Sequence, residues 1–177
     1  HDNSEKDDRI KFESLLPVYQ WRRRLLSAES EEQICHLVGD ALHEQLGAAS
    51  LSVMLMDEKR TALKIVASRG LPDKVIEQSR IEPGERISGR VFQSQEPLVI
   101  NRDEQTSEEI AALLSRIELS ASISFPLVSK NDSIGVINLS HRDDQKRFSL
   151  SDLELVSILA QLAVTAIENL RLSRQMQ

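Results

Sequence analysis

The segment ASISFPLVSKNDSIGVINLSHR (121–142) contains the pattern that decides the fold. Its two ends, ASISFPLVS (121–129) and IGVINLSHR (134–142), are rich in apolar and β-branched residues, and the polar segment KNDS separates them. Two such runs joined by a short polar turn predict a β-hairpin. Pro126 cannot donate a backbone hydrogen bond, so we expect it near a strand end or at a bulge.

A second hairpin is predicted upstream, where LSVMLMD (51–57) and ALKIVAS (62–68) flank the polar segment DEKR. Between the two hairpins, the stretch 81–101 contains two prolines and two glycines. It predicts a loop, one or two helical turns from about Ser88, and a short strand at Leu98–Ile100.

Helical patterns surround these hairpins. Ser30 and Gln33 have the spacing of a capping box, which predicts a helix up to Leu46. A compact amphipathic helix is predicted over 107–117. The order of elements predicts an α+β fold with a central antiparallel sheet, helices on both faces and long N- and C-terminal helices.

The last helix is predicted from Asp152 onward, with a capping box formed by Ser151 and Glu154. It has two apolar stripes: Val156, Leu159, Ala163, Ala166 and Leu170 on one line, and Leu155, Leu162, Leu172 and Met176 on the other. The first stripe can cover the sheet. The second needs another partner, and we expect a second copy of the chain.

These patterns predict the domain organisation of the 177 residues. We expect a disordered polar tail at 1–9, an N-terminal dimerisation helix at 10–29 and one domain at 30–172. The last helix of that domain, 152–177, continues past the sheet as a signalling or coiled-coil helix.

Composition excludes several classes of protein. There are 22 basic against 28 acidic residues, a net charge of -6, so we expect no nucleic-acid partner. The single cysteine, Cys35, excludes a disulfide scaffold and favours a reducing, cytoplasmic location. No apolar run reaches about 18 residues, so we expect neither a signal peptide nor membrane insertion.

The sequence resembles the GAF domain, a sensory module of bacterial signalling proteins and cyclic-nucleotide phosphodiesterases. The resemblance is carried, in order, by Ala49–Asp57, Arg69–Leu71, Pro83–Val91, Glu96–Asn101, Ser124–Leu127, Ile134–Ile137 and Phe148–Leu153. It implies a small-ligand pocket on one face of the sheet, with segments 84–101 and 107–117 as its lid. It also implies homodimerisation through the first and last helices and an attached output domain.

Polar side chains that could face this pocket suit a small anion or a polar metabolite. Alternate residues of a strand point to the same face, so residues 122 and 124 share a face, and residues 138 and 140 share a face. The candidate ligand-binding residues are Arg86, Ser88, Arg90, Asn101, Arg102, Ser122, Ser124, Asn138 and Ser140. The three arginines could equally be ordinary surface charges.

Two other sets of residues give weaker support for a functional site. His36, Asp40 and His43 have a spacing that metal ligands could use, but this face lies nearly opposite the apolar face of the helix, so we expect no metal site. The resemblance includes methionine sulfoxide reductases that use several cysteines and phytochromes that attach a bilin to a pocket cysteine. Cys35 alone, on the first domain helix, fits neither.

Haem and cyclic nucleotides are also weakly supported as ligands. His141 ends a strand, where we expect an exposed side chain, and aromatic residues are too few for a haem pocket. The cyclic-nucleotide motif of the family is incomplete, because Leu139 and Leu153 replace its Lys and Glu. We therefore expect a non-enzymatic sensor with no cofactor and a ligand of unknown identity. The alternatives are a dimerisation or protein-interaction scaffold with an empty pocket, and a cyclic-nucleotide-binding domain.

Overall fold

The computed structural model describes residues 16–102, 119–143 and 145–177, together with positions 6, 104, 107, 108 and 112. Five antiparallel strands form one sheet in the order β2-β1-β5-β4-β3. The strands are β1 (Ser50–Met56), β2 (Leu63–Arg69), β3 (Leu98–Asn101), β4 (Ala121–Ser129) and β5 (Asp132–His141). The four labelled helices are α1 (Glu31–Leu46), α2 (Asp73–Glu77), α3 (Arg86–Ser94) and α4 (Leu150–Gln175).

Both predicted hairpins are present, and together they build the sheet. β5 lies at the centre, between β1 and β4, because each hairpin contributes one inner strand. The turn between β4 and β5 is shorter than expected, because Lys130 adopts a positive φ of 57° and pairing resumes at Asp132. Pro126 pairs with Val136, next to a register shift at Leu127/Val128, as its missing donor requires.

The helix caps follow the prediction at α1 and differ from it at α4. At α1, the Ser30 hydroxyl accepts from the Gln33 amide at 3.0 Å, and the Gln33 side chain accepts from the Glu29 amide. At α4, the capping box is Ser149 with Asp152, so the prediction of Ser151 was wrong by two residues. The reason is the burial of Phe148, which packs under the sheet edge and starts the helix directly after itself.

One face of the sheet holds the main core. α1 packs on β1 and β2, α4 packs on β4, and the two helices contact each other. The first predicted stripe of α4 supplies Val156, Leu159, Ala163 and Ala166 to this core, all buried. In the second stripe, Leu155 and Leu162 are partly buried, whereas Leu172 and Met176 are exposed. We call this face of the sheet the helix face.

The opposite face carries a smaller core under α3. Met54 and Val136 of the sheet pack with Val91 and Phe92 of this helix. The segment that leads into α3 packs closely against Gly89, whose added Cβ would lie 2.4 Å from the carbonyl oxygen of Glu82. We call this side of the sheet the pocket face, because the candidate site lies here.

The terminal segments extend beyond the sheet. Residues 16–26 are helical, with Leu25 buried and Tyr19 exposed. By length and composition α4 could cross a membrane, but its buried apolar side belongs to the protein core. The prediction for the tail at 1–9 and that for a helix at 107–117 lie almost entirely outside the described residues.

Candidate ligand pocket

A row of polar side chains crosses the pocket face in the middle of the sheet. Ser52 of β1 pairs with Asn138 of β5, which pairs with Ser124 of β4. A parallel row one step along contains Ser50, Ser140 and Ser122. Because alternate residues of a strand share a face, both rows point away from α1 and α4. The structure thus places the four predicted residues of β4 and β5 on one face.

Asn138 is the centre of a hydrogen-bonded network. Its Oδ1 accepts from the hydroxyl of Ser124 at 2.8 Å and from that of Ser88 at 3.1 Å. Its Nδ2 donates to Ser52 Oγ at 3.2 Å and approaches Met54 Sδ at 3.6 Å. A carboxamide has two donors and two acceptor positions, so these partners satisfy it completely. Asn138 therefore orients its neighbours and has no free hydrogen-bonding group for a ligand.

A cavity of about 400 Å³ opens beside this network, between the sheet and the segment that connects β2 to α3. Its lining combines apolar and polar side chains, as that of small-molecule pockets does. The lining residues are Ser52, Met54, Ile65, Val75, Gln78, Ser79, Arg80, Ile81, Arg86, Ser88 and Asn138. None of these described lining residues is acidic, and two are arginines.

Two residues of the cavity wall have unusual local structure. The Ser79 hydroxyl oxygen is buried and has no hydrogen-bond partner among the described residues, an arrangement that costs about 1–3 kcal/mol. Arg86 begins α3 with a positive φ of 51°, a conformation that L-residues other than Asn and Asp rarely adopt. Unsatisfied groups and strained backbone of this kind are concentrated at functional sites.

The structure separates the nine predicted site residues into groups. Arg86, Ser88 and Asn138 line the cavity, and Ser124 lies directly behind it, bonded to Asn138. Ser122 and Ser140 are on the same face, one row further along. The exposed residues Arg90, on α3, and Arg102, after β3, are not among the residues that line this cavity.

Asn101 lies on the helix face, away from the cavity. In β3 it pairs with Ala121, whereas its neighbour Ile100 pairs with Ser122 of the pocket face. Its Oδ1 accepts from the Phe148 amide at 3.0 Å, and its Nδ2 donates to the Phe148 carbonyl at 3.2 Å. The structure therefore gives Asn101 a role in the connection between β3 and α4.

Sequence reasoning missed Ser52, Ser79 and Arg80. Ser52 interrupts the apolar run 51–56, and the pairing of that run with IGVINLSH aligns Ser52 with Asn138. The alternation that singled out Ser122 and Ser124 would have found Ser52 as well. Ser79 and Arg80 lie in an irregular segment, where no periodicity predicts the direction of a side chain.

The other candidate groups have structural partners. Asp40 forms an ion pair with Arg69, His36 lies 3.6 Å from Glu32, and no metal-binding group is found among the described residues. Cys35 is buried in the core, and burial raises the pKa of its thiol to about 12. The expectation of an exposed His141 was wrong, because its ring is buried against Phe148.

A five-stranded antiparallel sheet with α1 and α4 on one face, and with α3 and a cavity on the other, is an α+β fold. The GAF domain model matches residues 28–168, and this chain belongs to the GAF domain family. Domains of this family are signalling and sensor modules, which agrees with the resemblance noted in the sequence.

Relatives and solved structures are similar to most of the chain. The formate hydrogenlyase transcriptional activator of Salmonella typhimurium is 23% identical over 151 residues, which are 82% of this chain and 22% of the activator. The GAF domain of an Acinetobacter phosphoenolpyruvate-protein phosphotransferase has a TM-score of 0.73 at 16% identity, covering 88% and 93% of the two chains. The free methionine-R-sulfoxide reductase of Neisseria meningitidis has a TM-score of 0.71 at 17% identity, covering 88% and 89%. These structural likenesses show the fold.

Proposed function

We propose that this chain is a non-enzymatic sensory domain that binds a small anion in the cavity beside Asn138. The observation that carries the proposal is a cavity whose described lining residues include two arginines and no acidic residue. A bound anion would be attracted by both guanidinium groups.

The hydrogen-bond donors that remain available around the cavity favour a ligand rich in acceptors. Ser52 accepts from Asn138, so its own O–H remains available to donate. Arg80 and Arg86 are obligatory donors. Carboxylates and phosphates are acceptors at neutral pH, so they match this wall better than a ligand that must donate. The similarity to an activator of formate hydrogenlyase is compatible with a small carboxylate.

The lack of described catalytic groups supports a regulatory role. The described residues that line the cavity include serines but neither a histidine nor a carboxylate that could act as a base toward them. The single cysteine lies on the opposite side of the sheet with a strongly raised pKa. The likeness to the sulfoxide reductase therefore extends to the fold and brings no cysteine to the pocket.

Signal output would pass through the terminal helices of a homodimer. Leu172 and Met176 of α4 and Tyr19 of the N-terminal helical segment are exposed apolar side chains. A second copy would cover them in a helical interface that continues into an attached output domain. Because the chain spans about 22% of the length of the transcriptional activator it resembles, an output domain such as a transcription activator fits this arrangement.

Thermal unfolding tests the ligand directly. Sodium formate, sodium acetate, inorganic phosphate, cyclic AMP and cyclic GMP are added separately to the purified chain. A ligand at about 100 times its Kd adds about 2.7 kcal/mol, which raises the Tm of a domain this size by several degrees. We expect such a shift with at least one of the three small anions.

Two variants locate the binding site. Arg86→Gln should abolish the shift, whereas Arg22→Gln, an exposed arginine of the N-terminal segment, should preserve it. A shift with a cyclic nucleotide alone would replace the proposal by its cyclic-nucleotide alternative. No shift with any probe, combined with a ligand-free dimer in native mass spectrometry of the freshly purified chain, would overturn it in favour of a scaffold with an empty pocket.

A further inference from the structure

Phe148 attaches the start of α4 to the sheet, on the face opposite the cavity. Phe148 directly precedes Ser149, the N-cap of this 26-residue helix. Its side chain is only 4% exposed. Two polar residues hold it: Asn101, at the end of β3, and His141, at the end of β5. We call these three residues the Phe148 junction.

Asn101 fixes the backbone of Phe148. The carboxamide accepts from the Phe148 amide and donates to the Phe148 carbonyl, at 3.0 and 3.2 Å, and is itself only 3% exposed. This double contact aligns the residue before the helix with the edge of the sheet. A shift of Phe148 would break both hydrogen bonds in a buried site, where unpaired backbone groups are costly.

His141 fixes the side chain of Phe148. The two rings are stacked with centroids 4.2 Å apart and an interplanar angle of 21°. The histidine is 4% exposed, and its Nδ1 is buried without a hydrogen-bond partner among the described residues. A neutral imidazole can keep Nδ1 as a bare acceptor, whereas an imidazolium would place an N–H donor there with nothing to accept it.

We propose that the Phe148 junction is a proton-responsive latch, and that protonation of His141 loosens the start of α4. The proton would be a second input to this domain, separated from the cavity by the thickness of the sheet. The inference does not depend on a ligand in the cavity.

The charges around His141 come from several elements. Lys146 opposes protonation, whereas Asp143 and, on α4, Asp152 favour it. The neighbours Ala121 on β4 and Asn101 on β3 carry no titratable group. Glu104 and Arg147, beside Asn101, form an ion pair with each other. Attraction between an imidazolium and the Phe148 ring would offset part of the penalty.

Burial is the main cause that lowers the pKa of His141 below its ordinary value of 6.5, and Lys146 adds to it. A depressed pKa means that the native state prefers the neutral ring. The stability that the neutral ring provides is therefore fully present above pH 6.5 and is lost as the pH falls through the pKa of His141 in the folded protein. Each unit by which the pKa is lowered corresponds to a tenfold change in the equilibrium between the charged and the neutral ring.

Amide hydrogen exchange at the first turn of α4 tests the latch. The amides of Phe148, Ser149, Asp152 and Leu153 are all hydrogen-bonded in the neutral junction. Between pH 7.5 and 5.5, where most carboxylates stay ionised, their protection factors should fall relative to the amides of α1, by up to about tenfold because pH 5.5 lies one unit below the ordinary pKa of 6.5. The change should follow the titration of the His141 ring in NMR spectra.

His141→Phe keeps an aromatic stack that cannot titrate, so its protection should be independent of pH. His36→Gln removes an exposed histidine and should keep the wild-type response. Equal protection of the wild type at both pH values, or a pH response retained in His141→Phe, would overturn the proposal. If His141→Phe does not fold, the titration of the His141 ring in the wild type tests the proposal. A ring that titrates at or above pH 6.5, or that titrates without any change at these amides, would contradict the latch.

Discussion

The two faces of the sheet use the same two strands, β4 and β5, for opposite purposes. On the helix face, Ile123, Ile137 and Leu139 are fully buried under α4 and its neighbours. On the pocket face, the adjacent positions Ser124 and Asn138 form a polar network beside a cavity. One residue along a strand therefore separates the core from the candidate site.

The difference in burial would allow the proposed ligand binding on the pocket face without loss of the fold. Most of the buried apolar surface lies between the sheet, α1 and α4, and provides the main stabilisation. The pocket face has a smaller core, so a ligand bound there would disturb little of the buried apolar surface. Regions that bind ligands generally belong to the less stable parts of a structure.

The largest expected contrast between the faces is in thiol reactivity. With a pKa of about 12, Cys35 has roughly a thousandfold less thiolate at neutral pH than a free cysteine. Native protein should therefore react with iodoacetamide more than a thousandfold slower than protein in urea. The matched variant carries Cys35→Ala and Ser88→Cys, which moves the thiol to the cavity. Equally slow alkylation of both proteins would contradict the contrast.

The next largest effect is on stability at the helix face. Leu159→Ala, at a position that is 0% exposed, should lower the free energy of unfolding by about 2–5 kcal/mol. The control is the adjacent Ile158→Ala, 41% exposed, which should lower it by about 1 kcal/mol or less. Urea unfolding of both variants measures the difference. Similar losses at the two positions would mean that α4 does not pack as described.

A smaller loss is expected on the pocket face. Asn138→Ala leaves the hydroxyls of Ser52, Ser88 and Ser124 without their common partner, and should lower the free energy of unfolding by about 1–3 kcal/mol. Asn138→Asp keeps both acceptor contacts and should lose less of this stability. A greater loss for the aspartate variant than for the alanine variant would contradict the network.

Much of this architecture could be predicted from the sequence because its strands have clear boundaries. Apolar runs and polar turns gave both hairpins, and alternation placed Ser122 with Ser124 and Asn138 with Ser140. Alternation alone did not show which face each strand turns to the cavity. Asn101 follows Ile100 directly, so the pairing of β3 with β4 decides its side, and that pairing is not visible in the sequence.

The start of α4 shows a second limit of prediction from the sequence. In FSLSDLE, Ser149 and Asp152 have the spacing of a capping box, and so do Ser151 and Glu154. Local sequence supports both caps equally. The choice is made by tertiary structure, because Asn101 and His141 hold Phe148 at the sheet edge and the helix must begin after it.

The smallest expected effect is at the surface between α1 and α4. Arg171 and Arg174 both bond to Glu31, at 2.7 and 3.1 Å. All three side chains remain in contact with solvent, so Glu31→Gln should lower the free energy of unfolding by about 1 kcal/mol or less. The loss should shrink in 1 M salt, because exposed ion pairs are screened. A loss above about 2 kcal/mol, unchanged by salt, would show that this contact belongs to the core.

The central claim, a small-anion site beside Asn138, is tested most directly by the side-chain amide signals of the protein in NMR spectra. Sodium formate, sodium acetate and inorganic phosphate are titrated separately into the labelled chain. We expect at least one of them to shift the Asn138 carboxamide signals in a saturable manner. The exposed carboxamides of Asn131 and Asn169 should stay unchanged. Unchanged Asn138 signals with all three anions would contradict the account.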